Sequence, residues 1–565
     1  MSTKMDYKFS MIPRTNIPRS VFNRTHGYKT TFDAGYLVPF YLDEVLPGDT
    51  FNCKATLFAR LATLVAPVMD NAYLDVFFFY VPNRLIWRHW KEFNGENLLE
   101  GSQTKEYLVP QVEYTDNNNE LSGTLVDYFG FPTGVSKKLS VSALPFRAYR
   151  RIYNDWFRDE NFQPSINVTT GEVIHTVNDD VEKDMYGDDR TTVLSKESAK
   201  VLLRGKRHDY FTSALPWPQK GPGVEINLGA SANITGSIPV NSDVITSSFV
   251  TDNGHRYSKF KASYSGSKDG ERQVFFDGYG ISLPNNNTLG YLKNNSFNLP
   301  VSGLQADLSS ASAITINNLR QAFQLQRFYE RDARGGTRYT EIVRSHFGVV
   351  SPDSRLQRSE YLGGSSTPVN ISTVVQNSET SKDSPQGNLS AFGIVGTKGT
   401  GFTKSFTEHG IVIGLVNIRT DLSYQQGINR MWSRKTRVEY YWPDFAHLGE
   451  QAILNKEIYA QGTEEDNKIF GYQERYAEYR YHPSVITGKL RSTYPQSLDV
   501  WHFAQKFDNL PQLNHEFIED KASYDGVKRA VAVQSEPQFI LDSYISLRCA
   551  RPMPVYSVPG LVSHF

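Results

Sequence analysis

Between Asn71 and Trp87 the chain reads NAYLDVFFFYVPNRLIW, with the aromatic residues Phe77, Phe78, Phe79 and Tyr80 in succession. A strand sends successive side chains to opposite faces, so Tyr73, Phe77, Phe79 and Val81 share one face and Leu74, Val76, Phe78 and Tyr80 the other. Both faces are apolar, which predicts a strand buried on both sides, whether by a second sheet, by a long covering loop or by another protein chain. From Thr30 to Trp87 three strand-like runs follow one another, broken at Pro47-Gly48-Asp49 and Pro67-Val68-Met69-Asp70. That is the opening of an antiparallel sandwich.

The pattern then changes period. In SALPFRAYRRIYNDWFRDENF, Tyr149, Ile152, Tyr153 and Trp156 recur at helical spacing behind Pro145, which predicts a helix docked by an aromatic stripe with its arginines on a solvated face. A second helix is predicted over NNLRQAFQLQRFYERDARGG, with Leu319, Ala322, Phe323 and Tyr329 on one side and a stop at Gly335-Gly336. Strands return in EHGIVIGLVNIRTDL, RVEYYWPDF and PQFILDSYISLRCARPMPVY, ahead of a proline-broken tail. Strands at both ends of the chain must pair to close one body. Residues 223 to 300 are rich in Gly, Ser, Asn and Thr with recurring apolar residues, a texture that reads as a β-rich surface excursion of the kind that carries recognition.

Composition agrees with a mainly β protein: 41 Gly, 27 Pro, 34 Phe and 32 Tyr stand against 7 Met. Lys plus Arg and Asp plus Glu balance at 60 each, so the whole molecule has no field that would draw it onto nucleic acid or anionic membrane. Residues 1–30 are the local exception: Lys4, Lys8, Arg14, Arg19, Arg24 and Lys29 face only Asp6, and Pro13 and Pro18 keep the segment extended. Cys53 and Cys549, the only cysteines, are poor material for a disulfide framework. MSTKMDYKFSMIP has no apolar leader and no stretch approaches a membrane span, which predicts neither export nor membrane insertion.

Catalytic signatures are missing. Asn178 to Asp189 is acidic but has Met185 and Thr191 where a calcium loop needs Gly and Glu, so it reads as an exposed loop. His515 starts HEF with Glu519 where a zinc-protease helix needs its second histidine. Gly396 to Gly401, GTKGTG, lacks the Lys-Ser/Thr of a phosphate loop and reads as a flexible turn, and no Gly-x-Ser-x-Gly elbow occurs. No cofactor is expected.

Four stretches, SVFNRTHGYKTTFDAGYLVPFYLDEVLPGDTF (20–51), HDYFTSALPWPQKG (208–221), RFYERDARGGTRYTEIVRSHFGVVSPDSRLQRSEYLGG (327–364) and AEYRYHPSVITGKLRS (477–492), resemble the major capsid proteins of gokushoviruses, small single-stranded DNA phages of the Microviridae. The resemblance implies a single jelly-roll β-sandwich with large loop insertions and a few helices, assembled with itself into a T=1 icosahedral shell around a circular single-stranded DNA genome. It implies a subunit that is not an enzyme, put together in the bacterial host and resident in the virion with other virion proteins. The expected division is a basic arm (1–30), jelly-roll strands with helical insertions (31–222), a surface protrusion meeting a host receptor (223–300), and the remaining strands, insertions and tail (301–565). Lys4, Lys8, Arg14, Arg19 and Arg24 are the candidate DNA contacts, with Phe9, Phe22 and Tyr28 able to stack on bases; the arm could equally tie neighbouring subunits together. A soluble carbohydrate-binding or carbohydrate-active β-sandwich is the alternative.

Overall fold

The computed structural model describes residues 18–96, 106–174, 186–224, 316–380 and 385–556, and the backbone of strands between 234 and 306. The chain divides into two compact units, one made of Met1–Gly221 with Tyr329–Phe565, the other of Pro222–Phe328.

The first unit is a β-sandwich. Its ten principal strands, in chain order, are β1 (Ser20–Asn23), β2 (His26–Phe32), β3 (Val38–Val45), β4 (Thr50–Leu61), β5 (Ala72–Pro82), β6 (Glu360–Pro368), β7 (Asn370–Val375), β8 (Leu389–Ser405), β9 (Gly410–Thr420) and β10 (Phe539–Arg551). The first sheet runs β1-β10-β4-β8-β7 with β2 also on β10, the second β6-β5-β9-β3, and every pairing within them is antiparallel. The two ends of the chain do meet: Thr30 lies opposite Leu541 in the pairing of β2 with β10. Ser20 to Phe32, the second half of the basic segment, is therefore sheet.

Burial along the strands shows which face each sheet turns to the core. In β4, Phe51, Cys53, Ala55, Leu57, Ala59 and Leu61 are buried while the residues between them are exposed, the period of a strand with one wet face. In β9 every residue is buried. The sheets share one apolar core, in which Phe78 of β5 meets Phe402 of β8 at 5.4 Å between ring centroids. Cys53 and Cys549 both lie in this core as free thiols, and burial pushes the Cys53 thiol up to about 12.

The opposite face of β5 is covered by the chain's own insertion. Helix α1 (Leu144–Ile152) runs on into a wider π turn over Tyr153–Phe157. Phe157 then packs edge-on against Phe77 at 5.4 Å, and Trp156 lies 5.6 Å from Phe79. The expected aromatic stripe is there, but the solvated arginine face is not: Arg147, Arg150 and Arg151 are all buried. Arg150 donates to the carbonyls of Val168 at 3.0 Å, Thr169 at 2.7 Å and Ser198 at 2.9 Å, and Arg151 pairs with Asp155 at 3.0 Å. Inserted chain wraps the helix on both sides, and its otherwise orphaned carbonyls supply acceptors for the guanidinium.

Two further expectations are corrected. GTKGTG lies inside β8, where the register against β4 shifts between Thr397 and Thr400, Gly399 takes φ +76°, and a side chain at Gly401 would strike the Cys53 carbonyl. The glycines allow a bulge in a paired strand, not a free turn. RVEYYWPDF forms no strand but two short 3-10 turns, Arg437–Glu439 and Pro443–Phe445. Pro443 cannot donate to a ladder, and the Trp442 indole donates to the Arg437 carbonyl at 3.1 Å.

Helix α2 (Ile316–Gly335) stops at Gly336, whose φ of +99° ends it as the sequence predicts, and α3 (Tyr339–Phe347) follows. Near the other end, α4 (Lys521–Ala530) is capped by Asp520. A hairpin of Glu450–Leu454 with Ile469–Glu474 supports a smaller apolar cluster that includes Tyr210, Phe211, Tyr424 and Ile453. The second unit contains a five-stranded antiparallel meander from Ile245–Val250 to Thr288–Tyr291, each strand paired with the next. Lys4, Lys8, Arg14 and residues 178–185 of the acidic stretch lie outside the described residues, while at its end Asp189 accepts from the Trp87 indole at 2.7 Å.

Candidate assembly and nucleic-acid surfaces

Of the candidate DNA contacts, the structure places Arg19 and Arg24 and holds both against the sandwich. Arg24 grips the Asp43 carboxylate of β3 through Nη1 at 2.8 and 2.6 Å, and Tyr41 donates its hydroxyl to the same carboxylate at 3.1 Å. Burial opposes the Arg24 charge, but the hydrogen bond and field of Asp43 prevail and raise its pKa. Arg19 is exposed and donates to Thr50 Oγ1 at 2.8 Å. Phe22 and Tyr28 sit in β1 and β2, and Tyr28 donates its hydroxyl to the Tyr128 carbonyl at 3.0 Å. The ring and hydroxyl of Tyr28 are thus engaged in folding.

A larger exposed surface lies on residues 428–448 and 474–481. It carries aromatic side chains stacked on guanidinium groups in a region without regular strands. Arg434 lies 4.1 Å from the Tyr479 ring centre and Arg437 4.4 Å from that of Trp442. Tyr441 meets Tyr476 edge-on at 5.2 Å, and its backbone N–H donates to the Tyr479 hydroxyl at 3.2 Å. Beneath them, Arg434 donates to Glu478 at 3.0 Å and Arg430 to Glu457 at 3.1 Å, while Tyr210 of the smaller core donates to the other Glu457 oxygen at 3.0 Å. Burial raises the Glu457 pKa against the pull of Arg430. Glu439 instead is held low by the backbone N–H groups of Lys435 and Thr436, which fixes the turn that presents Tyr440 and Tyr441.

The stacking and ion pairs pre-order this surface, yet much of it remains uncovered: Trp432 is 74 % exposed, and Met431, Tyr440, Tyr441 and Leu448 are exposed as well. Tryptophan, tyrosine and arginine held rigidly around buried salt bridges are the residues that anchor protein–protein interfaces. Sequence reading took this segment for a strand because of its aromatics; the clue it offered was the interleaving of Arg434, Arg437, Tyr440, Tyr441 and Trp442 around Pro443. No group of three or more His, Cys, Asp or Glu side chains able to hold a metal is found among the described residues, and no described helix is long and apolar enough to cross a membrane.

Comparison with known proteins completes the reading. The chain matches the family described as "Capsid protein (F protein)" over residues 10–561. It is 44 % identical to capsid protein VP1 of Chlamydia phage 1 over 595 aligned positions, which cover 99 % of this chain and 98 % of that one. It is 44 % identical to capsid protein VP1 of Bdellovibrio phage phiMH2K, with 99 % and 98 % covered, and 36 % identical to capsid protein VP1 of Spiroplasma virus 4, with 98 % and 97 % covered. These matches decide between a shell subunit and a carbohydrate-binding sandwich in favour of the shell. The mainly β sandwich, its uncovered arginine and aromatic surface and the full-length matches lead to one conclusion: the chain belongs to the phage capsid protein (F protein) family.

Proposed function

We propose that this chain forms a T=1 icosahedral shell of jelly-roll subunits around a circular single-stranded DNA genome, with residues 223–300 as a protrusion that meets the host. It is a major capsid protein, a structural component of the virion and not an enzyme. One observation carries the jelly-roll reading: the chain alternates between sheets so that the orders β2-β10-β4-β8 and β3-β9-β5-β6 result, two interleaved four-stranded layers closed by the two ends of the chain. The surface around Trp432 and Tyr441 is the contact with a second copy, since a closed shell needs self-complementary surface on every subunit. The separate compactness of Pro222–Phe328 supports a protrusion that the sandwich does not need for its own core.

Genome contact is assigned to the basic arm, with Lys4, Lys8 and Arg14 as its phosphate-binding residues and Arg19 and Arg24 anchoring it to the sandwich. Electron cryo-microscopy of purified particles tests the shell: closed icosahedral particles with surface knobs are expected, and small oligomers alone, with other virion proteins supplied, overturn it. Neutralising Lys4, Lys8 and Arg14 together should lower encapsidated DNA while leaving the subunit folded; unchanged DNA per particle removes the arm from packaging. Deleting residues 223–300 should leave assembly intact and abolish adsorption to the host.

A further inference from the structure

A cavity of about 420 Å³ is lined by the segment 504–514, the short helical turn His515–Ile518 and helix α4. Its size falls within the roughly 300–1,000 Å³ of small-molecule sites. Phe507, Leu510, Pro511, Phe517 and Ala522 give it apolar walls. Lys206 reaches it from the insertion: the ammonium lies 4.3 Å from the centre of the Phe517 ring and donates to Gln505 Oε1 at 3.3 Å. Both of these partners line the cavity.

Two donors are left over here. The Lys206 ammonium carries three N–H groups, yet it forms no ion pair among the described residues and is held by one amide oxygen and one ring face. An ammonium needs the oxygen of the amide, which fixes Gln505 Nε2 as the other end; that nitrogen is buried and has no acceptor among the described residues. Burial pulls the Lys206 pKa down to about 8 against the fields of Asp520, Asp209 and Asp525, so the amine is still charged at neutral pH. Arg529, at the cavity wall, is already used: it donates to the carbonyls of Asp499 at 3.1 Å, His502 at 2.8 Å and Ala504 at 3.0 Å. The other ionisable groups of the lining are Lys506, Lys521, Glu516, Glu519 and Asp525, so four cations face three carboxylates and one positive charge remains.

We propose that this cavity binds a small apolar monocarboxylate, its carboxylate accepting from Lys206 and from Gln505 Nε2 and its body lying against Phe507, Leu510 and Phe517. A carboxylate supplies what the two donors lack, acceptor oxygens and one negative charge, and its bond to an ammonium is of the strong, charge-assisted kind. The single surplus cation selects against a dianion, since a phosphate monoester would bring its second charge against Glu516, Glu519 and Asp525. A neutral alcohol would leave the ammonium without a counter-charge in a partly apolar site. A sugar would do the same and would also set hydroxyl groups against Leu510 and Pro511.

Isothermal titration calorimetry of the full chain with decanoate tests the site. A single decanoate per subunit is expected, with decanol and decyl phosphate each weaker by roughly tenfold or more. Lys206→Met, which keeps most of the stem and removes the ammonium, should weaken decanoate roughly tenfold to a hundredfold and leave decanol as it was. Gln505→Glu, which offers Lys206 a carboxylate from within the chain, should abolish decanoate binding. Ala522→Phe, which fills the cavity and leaves both donors in place, should abolish binding of decanoate and decanol alike. Circular dichroism matching the parent shows that each variant is folded, and the cavity-filling variant keeps the test open if the lysine variant is not. No decanoate binding by the parent, equal affinity for decanoate and decanol, tighter binding of decyl phosphate, or decanoate binding unchanged in the folded variants would each overturn the site.

Discussion

Two arginine-rich regions of this subunit have opposite fates. In α1, Arg147, Arg150 and Arg151 are buried, and Arg150 directs its guanidinium at three carbonyls of the surrounding insertion. Around Trp442, Arg434 and Arg437 lie on aromatic rings that remain exposed. Burial pulls the Arg150 pKa down to about 9, which still leaves it charged at neutral pH, so its donors must all find acceptors inside the protein. The buried set is used up inside the subunit; the stacked set stands at its surface. Composition is the same in both places, and what differs is where the donors go.

The contrast breaks most severely at Arg150. Arg150→Met should leave the carbonyls of Val168, Thr169 and Ser198 buried without a donor and cost about 4 kcal/mol or more, read as loss of soluble subunit or a collapsed urea midpoint. Next, Trp432→Ala should weaken each subunit contact by about 2 kcal/mol while the unassembled chain melts as before, seen as loss of particles on sedimentation. An equal loss of subunit stability would show that this surface belongs to the fold.

A third test uses a buried charge that can titrate. Asp520 caps α4, where it accepts from the Ser523 N–H at 3.1 Å and hydroxyl at 2.8 Å, and burial raises its pKa to about 6 despite these bonds and the fields of Lys206 and Arg204. The folded state then holds a proton that the unfolded chain has lost, so this contribution to stability is full below about pH 4 and disappears as pH rises through about 6. Relative to Asp520→Asn, the parent should lose about 2–3 kcal/mol between pH 4 and 7 in parallel denaturation series. Smallest of all, Phe58→Ser on the wet face of β4 should shift stability by no more than about 0.5 kcal/mol, because Phe58 is half exposed and turned away from the core.

The sandwich was legible because its signal is local. The alternation in β4 and β10 and the unbroken apolar runs of β5 and β9 each fit one strand geometry. The arginines of α1 were misread because an amphipathic pattern assumes a single buried side, and the second cover comes from chain distant in sequence, at Val168–Thr169 and at Ser198. RVEYYWPDF has the composition of a strand, but its backbone groups are taken up by short-range bonds such as that from the Tyr440 N–H to the Arg437 carbonyl at 3.3 Å. The cavity left no trace in the sequence at all, since Lys206, Gln505, Phe517 and Ala522 come together only when insertion, turn and helix pack.

The position of β10 has a consequence for how the subunit is made. This strand sits between β4 on one side and β1 and β2 on the other, so the gap it fills stays open while everything from residue 62 to residue 538 is translated. A nascent chain can form hairpins and bury the β5–β9 seam early, but the first sheet cannot close until the ribosome has pushed residue 551 clear of its exit tunnel. Until that strand arrives, β4 borders an unfilled groove, and the wall it belongs to is finished last.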